Sequence, residues 1–128
     1  MSGPARAGLF IYAKDMASMV NFYQAIAGMV ELHKTDELAV LQSPDIQLLV
    51  HRIPAHIADD IHIKSPPERR EHSALKFFFT VPKLTDARAT ALSLGGVVFE
   101  ENWSGPGFVV CSACDPEGNV FQLRENTD

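Results

Sequence analysis

The chain has little of what several protein classes depend on: two cysteines, one tryptophan, and 11 Lys and Arg against 16 Asp and Glu, a formal net charge of -5. The acidic balance argues against nucleic acid as a partner, because no stretch collects the basic excess that a phosphate backbone requires. No uninterrupted apolar run approaches the ~18 residues of a membrane-spanning helix. The opening Met1 to Gly8 lacks the apolar core of a signal peptide. These absences set the expectation of a cytoplasmic chain with no membrane or nucleic-acid partner.

The two cysteines form Cys111-x-x-Cys114 inside the strand-like run Gly107 to Cys114. A zinc site wants a second pair of soft ligands, and a redox pair wants a helix N-terminus to stabilise its thiolate; neither is here. Residues three apart on a strand also face opposite ways. The plainer reading, two small half-buried side chains in a reducing cytosol, is preferred.

What is present is an ordinary globular composition, 46% hydrophobic and 21% charged over 128 residues. That suffices for one core without staples, so the expectation is a single domain over 1–128. Leu9 to Ala13 reads as a strand. Asp15 follows as a helix N-cap, with Met16, Met19, Val20, Tyr23 and Ile26 at helical spacing and Gly28 as the stop. Three short strands are expected next, at Val30 to His33, Leu38 to Gln42 and Ile46 to His51. Residues 53–73 hold Pro54, Pro66 and Pro67 with many charges and read as a crossing linker. The pattern then recurs with a strand at Leu75 to Val81, a helix at Pro82 to Leu94, and a stop at Gly95-Gly96. Three strands close it: Val97 to Glu100, Gly107 to Cys114 and Val120 to Glu125.

At an offset of 68, Leu9-Phe10-Ile11 falls on Phe77-Phe78-Phe79 and Gly28 on Gly96, a repeat of pattern more than of identity. The predicted fold is α+β: two tandem βαβββ modules, about 8–52 and 74–126, forming a curved eight-stranded mixed sheet around a cavity, with helices outside. Strand alternation turns Leu9, Ile11, Phe77, Phe79 and Val81 toward the helices. It turns Gly8, Phe10, Tyr12, Lys76, Phe78 and Thr80 toward the cavity.

The stretch Asp15-x6-Phe22-Tyr23-x4-Gly28 and the closing run Gly107 to Leu123, with its Asp115-Pro-Glu-Gly-Asn119 turn, resemble the two modules of the vicinal oxygen chelate superfamily. This superfamily includes glyoxalase I, bleomycin-resistance proteins and extradiol dioxygenases, and the likeness runs over residues 8 to 125. It implies a divalent metal held by one ligand from the first and fourth strands of each module, typically His or Glu. Here those positions fall on Gly8, Gln47, Lys76 and Gln122. A glycine, a lysine and two neutral amides are a poor donor set for such an ion. No metal and no other cofactor are therefore expected.

The candidate ligand-binding residues are Tyr12, Gln47, His51, Lys76, Phe78, Thr80, Gln122 and Arg124. Lys76 lays its stem on the sheet with its ammonium in water, or pairs with an anionic ligand, or acts as a base of lowered pKa. His51 is a structural histidine or a group at the cavity mouth. Arg124 is a second cation for a carboxylate, or pairs with Glu125 or Asp128. His56, His62 and His72 are too irregular in spacing to suggest a metal site. Trp103 is placed on a loop over the cavity, as a lid or an interface anchor. The leading reading is a metal-free protein that binds a small, partly apolar, anionic molecule. The alternatives are a lyase, isomerase or dioxygenase of the same superfamily with a non-standard site, and a partner protein with no ligand. A homodimer is expected, through Trp103, Phe99 and Phe108.

Overall fold

A computed structural model describes residues 5–127. The chain divides into two compact units, Met1–His62 and Ile63–Asp128.

In the first unit, β1 (Gly8–Ala13) leads into α1 (Met16–Ala27). The Asp15 carboxylate accepts a hydrogen bond from the Ser18 amide at 3.1 Å, and Gly28 ends the helix at φ 64°. A meander follows: β2 (Val30–Lys34), β3 (Leu38–Gln42) and β4 (Gln47–Arg52). The sheet order is β1-β4-β3-β2, with β1 parallel to β4 and the other pairs antiparallel. Met19, Val20, Phe22 and Tyr23 of α1 are buried, as are Ile11, Ala39, Leu41, Leu48 and Val50 of the sheet face that α1 packs against. A short helix, α2 (Ala55–Ala58), interrupts the expected linker, and the Lys14 ammonium donates to the Ile61 carbonyl beyond it.

The second unit repeats the plan. It contains β5 (Phe78–Thr80), α3 (Leu84–Ser93), β6 (Val97–Gly105), β7 (Phe108–Cys114) and β8 (Val120–Asn126), in the order β5-β8-β7-β6. Phe79, Phe121 and Leu123 are buried on the helix side. Phe77 stacks on Phe121 with ring centroids 5.3 Å apart. The strands thus bond into two sheets of four, with β1 and β5 each paired on one side, where the pattern suggested one sheet of eight.

Other boundaries also move, for local reasons. β5 is three residues long and is preceded by a turn in which the Ser73 hydroxyl accepts from the Leu75 amide (3.3 Å) and donates to its carbonyl (3.0 Å). α3 starts at Leu84, whose amide is capped at 2.7 Å by the Glu125 carboxylate of β8. β6 runs on to Gly105 through an irregularity between Val98 and Asn102, so Trp103 lies in a strand and not on a loop. Arg88 holds the break, donating from Nε to the Val98 carbonyl (3.3 Å) and from Nη2 to that of Phe99 (3.0 Å). No described helix is long and apolar enough to cross a membrane.

Candidate functional site

Each sheet buries one face under its helix, which leaves the functional side chains to the other. In the first unit the register sets Gly8 beside Gln47, Phe10 beside Leu49 and Tyr12 beside His51. Phe10, Tyr12 and His51 form a cluster of rings with centroids 5.1 to 5.9 Å apart. Tyr12 is 62% exposed. His51 Nδ1 lies 2.7 Å from the Arg52 carbonyl, which can only accept, so this nitrogen is the donor of that bond. Gln47 donates from Nε2 to the Gln42 side-chain oxygen at 2.9 Å.

In the second unit Phe78 pairs with Gln122 and Thr80 with Arg124 across β5 and β8. Ser112 pairs with Gln122, and Val110 with Arg124, across β7 and β8. Trp103 pairs with Val110. One row across the sheet therefore reads Trp103, Val110, Arg124, Thr80. The Arg124 Cζ lies 3.7 Å from the Phe78 ring centroid and 4.2 Å from that of Phe108. Those rings come from the strands on either side of β8, so they flank the guanidinium. Its Nε is buried without a hydrogen-bond partner among the described residues. Stacking on two rings stabilises the charge by about 1 to 2 kcal/mol but satisfies no N–H donor.

Of the residues expected in a ligand site, Tyr12, Gln47 and His51 share the open face of the first sheet. Phe78, Thr80, Gln122 and Arg124 share that of the second. Lys76 precedes β5 and is exposed, and the residue beside Gln122 is Phe78. Asp128, the suggested partner of Arg124, lies outside the described residues. Phe108 was not among the expected ligand residues, although alternation along Phe108, Val110 and Ser112 places it on the Arg124 side.

A match of residues 8–124 to the family model of the glyoxalase-like domain covers most of the chain. The chain belongs to the glyoxalase-like family. Solved structures with this fold include a glyoxalase/bleomycin resistance protein/dioxygenase family enzyme from Burkholderia phytofirmans PsJN (16% identity, TM-score 0.69, covering 96% of this chain and 99% of that one). A glyoxalase/bleomycin resistance protein from Albidiferax ferrireducens T118 is similar at 19% identity and TM-score 0.63, covering 94% and 97%. The fosfomycin resistance protein FosX from Listeria monocytogenes is similar at 16% identity and TM-score 0.64, covering 99% and 95%. A search of curated proteins by sequence finds no match.

The metal that the superfamily resemblance implies does not fit this glyoxalase-like chain. Gly8 has no side chain, the Gln47 amide is engaged by Gln42, Phe78 stands beside Gln122 where Lys76 was expected and offers no donor, and Gln122 is a neutral amide. Among the described residues no group of three or more His, Cys, Asp or Glu side chains is arranged to hold an ion.

Proposed function

We propose that this glyoxalase-like protein binds a small, anionic, partly apolar molecule without a divalent metal, and that Arg124 is its anion partner. The observation carrying this reading is the Arg124 guanidinium, flanked by Phe78 and Phe108, with a buried Nε that no described residue satisfies. A fixed charge beside apolar rings suits an acid with a hydrophobic body. The cation expected at Lys76 is supplied instead by Arg124, while Thr80, Ser112 and Gln122 add neutral polar groups on the same face.

A charge-assisted hydrogen bond here is worth about 1.5 to 3 kcal/mol, or about ten- to a hundredfold in affinity. The test is a thermal-shift titration of small aromatic and aliphatic acids beside their amides, on wild type and on Arg124→Met. Acids are expected to stabilise the wild type at concentrations at least tenfold below their amides, and the variant is expected to lose that preference. Equal stabilisation of the wild type by acid and amide, or an acid preference that survives in Arg124→Met, overturns the reading.

A further inference from the structure

The way Arg124 is held constrains the shape of the anion as well as its charge. Rings from the strands on either side of β8 stand 3.7 and 4.2 Å from its Cζ, close to van der Waals contact, so little room is left beside the guanidinium plane. The N–H donors all lie in that plane. Of these, Nε is buried, which leaves the Nη end as the edge an acceptor can reach.

We infer that Arg124 selects a planar carboxylate on an apolar or aromatic body over a tetrahedral oxyanion, an inference that rests on the anion-binding reading above. A carboxylate places both oxygens in one plane and meets the paired Nη donors as a flat fork. A tetrahedral oxyanion making the same two contacts must hold a third oxygen out of the plane. That oxygen would press on the space filled by Phe78 or Phe108, facing the electron-rich side of a ring, which repels it. Trp103 lies across the strand row from Arg124, half exposed, and offers the ligand body a flat apolar surface.

The experiment compares benzoate, benzenesulfonate and benzamide by calorimetric or thermal-shift titration. The first two are monoanions on the same ring and differ in the geometry of the charged group. Benzoate is expected to bind at least tenfold more tightly than benzenesulfonate to the wild type. Arg124→Lys keeps the charge but has no fork, and Phe108→Leu keeps apolar volume but clears one face. Both are expected to bring the ratio toward one, which the different basicity of the two anions would not do, since it persists in the variants. If the two anions bind the wild type alike, and both better than benzamide, planar selection fails while anion binding stands. If neither anion binds better than benzamide, the anion-binding reading itself fails. A benzoate preference unchanged in both variants also overturns the inference.

Discussion

Cys114 ends β7 fully buried beside Asp115, and burial first, then the aspartate charge, pushes its thiol above the ordinary cysteine range. The folded protein therefore keeps this thiol protonated where the unfolded chain begins to ionise. The sign follows: the contribution to stability is intact below the unfolded pKa and is lost as pH rises toward the folded one. Alkylation by iodoacetamide at pH 7.5 should leave Cys114 unmodified in the native protein and modify it in urea. The stability advantage of wild type over Cys114→Ala should shrink in denaturation curves above about pH 9. Both cysteines are free, and both are buried where half-buried side chains were expected. Alternation put Phe78, Thr80, Gln122 and Arg124 on one face. It could not say which cation stands among them. That depends on where β5 begins and on two rings brought to Arg124 from neighbouring strands.

Elements show the same division between local and distant causes. Asp15 and Gly28 bound α1 through contacts within one turn, and both ends were readable from the sequence. The first turn of α3 is capped by Glu125, 41 residues from Leu84, and the β6 irregularity is held by Arg88 from another element; no local pattern announces either. Two glycines at positive φ test how much such surroundings matter. Gly28 has open space where a Cβ would stand, so Gly28→Ala should cost only the left-handed backbone penalty, about 1 kcal/mol. Gly118, at φ 86°, would drive a Cβ into the Glu68 carbonyl oxygen, a backbone atom held in place by the Arg70 amide bonding to the Gly118 carbonyl at 2.8 Å. Gly118→Ala should cost at least about 3 kcal/mol. Urea denaturation of the two variants checks the ordering; equal losses would contradict it.

For the whole molecule, the expected homodimer now rests on fewer residues. Phe99 lies under the Arg69 guanidinium at 3.7 Å and Phe108 against Arg124, so both have partners within the chain. Trp103 remains, 50% exposed, and a self-association through it is proposed. Light scattering at micromolar concentration should give about twice the 14.1 kDa chain mass, and Trp103→Ser should shift it toward the monomer. A wild-type mass near 14.1 kDa sinks the proposal.

The tandem plan itself was legible, since a repeated order of strand, helix, glycine and three strands survives low identity. The pairing of each first strand with its module's last was not written in any local stretch. That pairing bears on how the chain is made. Gly8 must wait for Gln47, and Phe78 for Gln122, before the parallel ladder can form. During synthesis the helix and meander of a module can assemble from nearby residues, while its leading strand stays without its neighbour until the fourth strand leaves the ribosome. Each half of the protein is thus completed by its oldest segment joining its newest.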